Sequence, residues 1–330
     1  MKRTIFFNNK PTIIAASTVA GPKESMDSIS QFFDVKLTDD KFGEDSFEKA
    51  ECKMMYTAIK NGIEKADKPE NQIDAIISGD LLNQIIASTF SARNFSCGYL
   101  GVYNACATFT EALTLGATLI DGGYMQNVVC ATSSHFSSAE RQYRYPLELG
   151  STRPPQSQWT VTGAGASVIS SSGDGPKIVC ATVGRVVDYG VTDANNMGAA
   201  MAAGAADTIV THLKNCNRKP SDYNLIITGD LGTLGSRIVK DLIWEKGFDI
   251  EKQHVDCGEL IYNICEEEYQ GGSGAGCSSI VFNSYIYDRL VKREYKRILL
   301  VATGALLSSL SSQQGESIPG IAHAVEVEVE

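Results

Sequence analysis

The sequence is short of positive charge: 29 lysines and arginines face 39 aspartates and glutamates, a net charge of −10 over 330 residues. Phosphate backbones need a basic face, so a nucleic-acid surface is excluded and direct docking on an anionic bilayer is disfavoured. A small anion remains admissible, because a local pocket can oppose the field of the whole. Long apolar runs are also missing. The best, Ile298 to Leu307, is about half the length of a spanning helix and contains Thr303 and Gly304, so no membrane segment is expected. The apolar stretch after Lys2 and Arg3 is broken at Asn8, Asn9 and Lys10, too early for the core of a signal peptide. No Cys-x-x-Cys pair and no His/Cys cluster with zinc spacing occurs, so no resident metal or cofactor is expected. The nine cysteines are an odd number, and most lie in apolar strand-like runs such as NVVCATSS (Cys130) and KIVCATV (Cys180). That is the pattern of reduced, buried thiols in a cytosol-like compartment, not of a disulfide framework.

What the sequence does have is a repeat. Short β-branched runs at 73–78, 127–131, 166–170, 177–183, 224–228 and 297–302 alternate with helical stretches at 46–66, 83–93, 106–121, 199–214, 234–245 and 277–291. Such alternation implies crossovers and a parallel or mixed sheet. IDAIISGDL recurs as YNLIITGDL, with Asp80 and Asp230 150 residues apart. Cys106 and Cys277 each open a helix, 171 residues apart, and the Ala-Thr strand ends at Ala131 and Ala302 keep the same offset. VTGAGASVIS and IPGIAHAVEVE close each copy. The chain therefore reads as two halves, 1–175 and 176–330, with an insertion near 246–270 whose acidic run Glu266–Glu268 reads as a solvated loop. Active sites in open α/β sheets lie beyond the carboxyl ends of the strands. The loops at Asp80, His135, Asp230 and Thr303 and the helix starts at Cys106 and Cys277 should then converge on one crevice.

Cys106 stands out among the cysteines. At a helix N-terminus a thiol meets free N–H groups and the positive end of the helix dipole, which favour thiolate. Cys52, Cys130, Cys180 and Cys216 read as small core hydrophobes, and Cys277 as the structural counterpart of Cys106. The glycines of GGSGAG (271–276) lack the Lys-Ser/Thr of a phosphate loop and read as a close packing contact. The closing AVEVEVE reads as a half-exposed strand.

NACATFTEAL, then VVCATSSH and TVTGAGASVI, resembles the nucleophile region of the thiolase and ketoacyl synthase superfamily. Within it, SGDLLNQ, ATSSHFSSAERQYRYP, NNMGAAM, HVDCG and VATGALL are similar to the stage V sporulation protein AD family, essentially end to end. The resemblance implies an α/β, thiolase-like fold: two duplicated mixed-sheet α/β halves packed as layered αβαβα. It implies binding of dipicolinate (pyridine-2,6-dicarboxylate), alone or as its calcium chelate, for uptake into the developing spore. It also implies a peripheral place at the forespore or spore inner membrane, through membrane-embedded subunits of one transport complex. Thiolase-fold proteins commonly dimerise, so a homodimer is a further expectation.

The sequence departs from the enzymes of that superfamily. Condensing enzymes set two His, or a His and an Asn, beside the cysteine. Here the corresponding stretches read GGSGAGCSS and TGDLGTLG, with small residues and Asp230 instead. The expected reading is a retained pocket without condensation chemistry. The alternative is a ketoacyl synthase-like condensing enzyme with Cys106 as the acyl-accepting nucleophile. His135 and His323 are the histidines placed nearest the crevice; His254 reads as structural, and His212 as structural or exposed. Arg141 and Arg144 suit the carboxylates of a planar dianion by their forked geometry, with surface ion pairs as the plainer reading, and Lys23 is a third cation. Asp80 would repel a bare dianion, so it either stays protonated or, the favoured expectation, ligates the chelated calcium, a hard cation that prefers oxygen. Asn83, from the same GDLLNQ string, joins the candidate ligand-binding set with Cys106.

Overall fold

The computed structural model describes residues 3–26, 29–143, 153–262 and 269–329. Arg144 and the run Glu266–Glu268 lie outside them. Ten strands of the described residues form the frame. They are β1 (Thr12–Ala20), β2 (Ala75–Gly79), β3 (Gly98–Gly101), β4 (Asn127–Ser134), β5 (Gly163–Ser170), β6 (Lys177–Thr182), β7 (Leu225–Thr228), β8 (His254–Asp256), β9 (Arg297–Ala305) and β10 (Gly320–Glu328). The first five are hydrogen-bonded in the order β1-β5-β4-β2-β3 and the second five in the order β6-β10-β9-β7-β8. Pairing senses also repeat: antiparallel, antiparallel, parallel, parallel in each set. The same order and sense twice is the duplication made visible. One residue pair, Thr12 with Lys177, joins the two sheets edge to edge. The link between β5 and β6 spans residues 171–176. The N-terminal strand Thr4–Phe6 crosses over to pair with β6 of the second half.

Helices fill three layers. Outside the first sheet lies α1 (Phe47–Lys65), capped by the Ser46 hydroxyl and burying Ala50, Met54, Met55, Ala58, Ile59 and Ile63 at helical spacing. Outside the second sheet lie α5 (Met197–Asn215) and α6 (Gly232–Trp244). Between the sheets run α3 (Thr108–Asp121) and α7 (Ala275–Val281), both buried on nearly every side. A helix that touches two sheets must be apolar or small all round, which is what TFTEALTLGATLI and AGCSSIV supply. Three apolar clusters, one central and two outer, correspond to these layers. Hydrophobic burial of this kind contributes about 25 cal/mol per Å² of apolar surface removed from water. Among the described residues no helix is long and apolar enough to cross a membrane.

Two expectations are corrected here. The helical stretch at 277–291 is interrupted by a wider turn at Phe282–Ile286, where Asn283 and Ser284 bond back to Ser279 and Ile280 carbonyls. Of the closing AVEVEVE, residues 324–327 are buried rather than half-exposed. β10 lies between β9 and β6, with α5 on one face and the central layer on the other, so Glu326 is only 1% exposed. In space the ligand atoms of Cys180, His212, Cys216 and Glu326 all lie within 4.8 Å of one another, and His212 is fully buried rather than exposed.

Candidate functional site

The chain reaches Cys106 through a strained turn. Ala105 sits at φ 50°, a left-handed conformation that a residue with a Cβ adopts at a cost of roughly 1–2 kcal/mol. The Thr108 hydroxyl fixes the turn, accepting from the Asn104 N–H at 2.9 Å and donating to the Ala105 carbonyl at 2.6 Å. Gly304 at the end of β9 presses on it from the other half: a Cβ there would stand 2.4 Å from the Asn104 carbonyl oxygen. That close approach explains the glycine in VATGALL.

The partner of Cys106 is Asp230, to whose buried carboxylate the thiol donates a hydrogen bond. Asp230 also accepts from the Thr303 hydroxyl at 2.7 Å and the Gly274 N–H at 2.9 Å. It therefore ties the ends of β7 and β9 and the start of α7 to the Cys106 turn. Burial pushes the Asp230 carboxyl up to about 6 against these hydrogen bonds. A carboxylate opposite the sulfur is an anion, where a condensing site needs a neutral base or a donor. Cys277 is fully buried, with its thiol on the Gly229 carbonyl at 3.4 Å. The positive-φ residues before the two helices, Ala105 and Gly274, are 169 apart, so Cys277 stands two positions deeper in its helix than Cys106 does in its turn.

Cys106 opens on a narrow inner chamber of about 40 Å³, walled by Leu81, Tyr103, Tyr143, Met197 and Leu307. Its one formally charged lining residue among the described residues, Glu140, is paired with Arg153 at 3.1 Å. Tyr103, Tyr143 and Leu307 also border a second, outer chamber of about 970 Å³, with Asn83, Gln84, Gln142 and Ser308. The Asn83 N–H donates to the Gln142 side-chain oxygen at 2.9 Å, and the Gln142 amide donates to the Leu81 carbonyl at 2.8 Å. The Tyr143 hydroxyl bonds the same carbonyl and lies 3.2 Å from the Tyr103 hydroxyl. Gln84 and Ile85 both have positive φ, at 58° and 48°. Two consecutive strained residues at a cleft rim are the kind of backbone that clusters at ligand clamps.

The structure thus brings Cys106 and Asn83 to one two-chambered cleft and leaves other candidates outside it. Asp80 is fully buried and lines neither chamber. Its carboxylate accepts from the Leu82 N–H at 2.8 Å and from the Ser88 N–H and hydroxyl, both at 2.7 Å. Asp80, expected as a calcium ligand, here caps its own loop, because an Asp after a strand end satisfies its own turn first. Burial raises its carboxyl, and burial together with the Asp80 charge pushes the nearby Glu51 up to about 8. His135 is occupied too. Its Nε2 bonds the Asp40 carbonyl at 2.8 Å, its Nδ1 accepts from the Ser137 N–H, and its ring lies on Phe47. His323 accepts from the Gly184 N–H at 3.0 Å and lines neither chamber; burial lowers it to about 4. Arg141 points outward to Glu48 at 3.4 Å and over the Phe47 ring. Lys23 stands 4.4 Å above the Trp159 ring, which stacks on Phe136 at 3.9 Å.

The residues that reasoning from sequence missed are Tyr103, Gln84, Gln142 and Tyr143. The AERQYRYP string was diagnostic, but α4 (Phe136–Tyr143) sends successive side chains about 100° apart. Gln142 and Tyr143 turn to the cleft and Arg141 turns away.

A family model described as Stage V sporulation protein AD (SpoVAD) matches residues 1–328. Stage V sporulation protein AD of Bacillus subtilis (strain 168) is 42% identical over 327 residues, covering 99% of this chain and 97% of that protein. Among solved structures, a single-residue variant of Xanthomonas campestris OleA has a TM-score of 0.64 at 13% identity, over 98% of this chain and 99% of that one. The 3-oxoacyl-[acyl-carrier-protein] synthase III of Aquifex aeolicus VF5 has a TM-score of 0.56 at 15% identity, over 97% and 100%. Likeness at such low identity speaks for the fold alone, and the fold is thiolase-like. On that fold, and by a match running nearly end to end, the chain belongs to the stage V sporulation protein AD family.

Proposed function

We propose that this protein binds dipicolinate, as its calcium chelate, in the outer chamber and carries out no condensation. It serves uptake of the chelate into the developing spore, held at the membrane by embedded subunits of the same transport complex. The observation that carries the non-catalytic reading is the partner of Cys106: an aspartate, with no histidine among the described residues lining either chamber. Losing the base costs orders of magnitude in rate even where the nucleophile stays.

Size and charge favour the outer chamber and the chelate. The inner chamber of about 40 Å³ has room for little more than a water, while the outer one of about 970 Å³ admits a pyridine ring with its metal. Among the described lining residues the outer chamber carries no formal charge. A bare dianion would shed its hydration there without a cation in return. A calcium ion and a dicarboxylate sum to a neutral chelate, which suits tyrosine rings and amide heads. Calorimetric titration tests this. The chelate should bind at least about tenfold tighter than dipicolinate with a calcium chelator present, a difference of about 1.4 kcal/mol. Equal affinities, or no heat from either, would overturn it.

The strained Ala105 turn favours a second reading, since strained backbone clusters at active sites. In that reading Cys106 accepts an acyl group. Intact mass after incubation with acyl-CoA thioesters decides between the two: a Cys106 adduct supports the enzyme, and its absence alongside saturable chelate binding supports the binding protein.

A further inference from the structure

A second polar cluster lies in the other half of the molecule, between the second sheet and α5. Cys180 on β6 and Glu326 on β10 are cross-strand neighbours. His212 and Cys216, four residues apart at the end of α5, face them from above. We propose that Cys180, His212, Cys216 and Glu326 form a closed four-ligand site for a divalent metal of the zinc class.

The spacing carries the proposal. Around zinc, with Zn–S about 2.3 Å and Zn–N or Zn–O about 2.0–2.1 Å, the edges of a tetrahedron are about 3.8 Å for S to S. They are about 3.5 Å for S to N or O, and about 3.3 Å for N to O. Here Cys180 Sγ and Cys216 Sγ are 3.7 Å apart, Cys216 Sγ and His212 Nε2 3.6 Å, Cys180 Sγ and Glu326 Oε2 3.7 Å, and His212 Nε2 and Glu326 Oε2 3.0 Å. These four of the six edges are within a few tenths of an ångström of the ideal, and all four ligand atoms lie within 4.8 Å of one another. Two sulfurs, a nitrogen and an oxygen so gathered offer one ligand atom each to a single ion.

The surroundings are those of a ligand set held in place. His212 Nδ1 pairs with the Thr182 hydroxyl at 2.8 Å, which orients the ring with Nε2 toward the centre. The Tyr223 hydroxyl donates to Glu326 Oε2 at 2.7 Å. Arg297 and Arg218 approach the other oxygen, Oε1, at 3.3 and 3.6 Å, leaving Oε2 to face the sulfurs. On binding, each thiol gives a proton to solvent. Two thiolates and one carboxylate then face a dication and two guanidiniums, so the buried charge is nearly balanced. Cys216, half-buried at the cap of α5, gives the ion its way in. Four protein ligands leave no open position, so the metal's role is structural: it staples β6 and β10 to α5.

The test uses full-length reduced protein purified without chelator. Elemental analysis should find about one zinc per chain, and cobalt substitution should give the visible bands of a tetrahedral site with thiolate charge transfer. Cys216→Ser and Cys180→Ser should lose the metal. Cys97→Ser, a thiol outside the cluster, should keep it. Should either ligand variant fail to fold, His212→Cys keeps a ligand and should bind cobalt with a stronger charge-transfer band, and Tyr223→Phe should weaken zinc about tenfold. Absence of zinc together with absence of cobalt bands would overturn the site. So would a Cys180–Cys216 disulfide found by mass in metal-free protein under non-reducing conditions. Neither readout involves dipicolinate, so failure here leaves the proposed function standing, and the reverse holds.

Discussion

Cys106 and Cys216 divide between them what a catalytic cysteine needs. Cys106 has the position: a strained turn before a central helix, at the meeting of four post-strand loops, open to a cleft. Its hydrogen-bond partner is Asp230, an anion. Cys216 has the partners, with His212 at 3.6 Å and Glu326 bonded to that histidine at 3.0 Å, but neither chamber reaches it. A condensing nucleophile requires a substrate cleft and a base together, and here the cleft opens at Cys106 while the histidine stands beside Cys216. The difference teaches that a cysteine's role is set by the groups around it more than by its own burial.

The sharpest way to break the comparison is at Gly304. Gly304→Val would drive a branched side chain into the Asn104 carbonyl, so we expect about 3 kcal/mol of lost stability by urea unfolding and loss of chelate binding. Zinc content should not change, which would show the two regions to be independent.

Next in size is the outer chamber. Asn83→Ala with Gln142→Ala removes two amide side chains from its lining and should weaken the chelate about tenfold by calorimetry, roughly 1.4 kcal/mol. An unchanged affinity would place the ligand elsewhere.

Asp230→Asn sharpens the electrostatic half of the comparison. The folded carboxyl is raised to about 6 from an ordinary 3.8, so its contribution to stability is complete below about pH 3.8 and is lost as pH rises through about 6. The asparagine does not titrate. It loses one acceptor for Gly274 or Thr303, about 1 kcal/mol, yet should gain on the wild type as pH rises from 4 to 7. Melting temperatures of the two proteins across that range check the sign.

The smallest expected effect is Cys106→Ser. The side chain lines the inner chamber rather than the outer one, so chelate affinity should stay within about twofold, with stability within about 0.5 kcal/mol. A large loss would return Cys106 to the centre of the site.

Much of the fold was legible beforehand. The IIS/IIT and Ala-Thr landmarks at offsets of 150 and 171 residues announced a duplication, and the paired strands Ala75 with Val128 and Leu225 with Ile298 occupy equivalent places in the two sheets. β1 (Thr12–Ala20) and the short β8 (His254–Asp256) were not marked among the strand runs. The first lacks a clear period because it is buried on both faces, and the second has too few residues to show one. The site was legible as a region but not as a residue set. Asp80, His135 and His323 were polar residues in the right loops, yet Asp80 is taken up by its own turn, and His135 and His323 bond to backbone 95 and 139 residues away, which spacing does not reveal. Tyr103, Gln142 and Tyr143 carried no chemical signature that would set them apart.

By itself the sequence determined the two-copy architecture, the family and the missing histidine partners of Cys106, because these depend on order along the chain and on which residue types are present. Tertiary structure decided the rest. Residues 180, 212, 216 and 326 meet only because β6 and β10 pair and α5 lies across them; no spacing along the chain encodes that cluster. The cleft likewise exists only where Gly304 of one half closes on Asn104 of the other. Local preference acts over a few residues, whereas contacts that span more than a hundred are fixed by how whole layers pack.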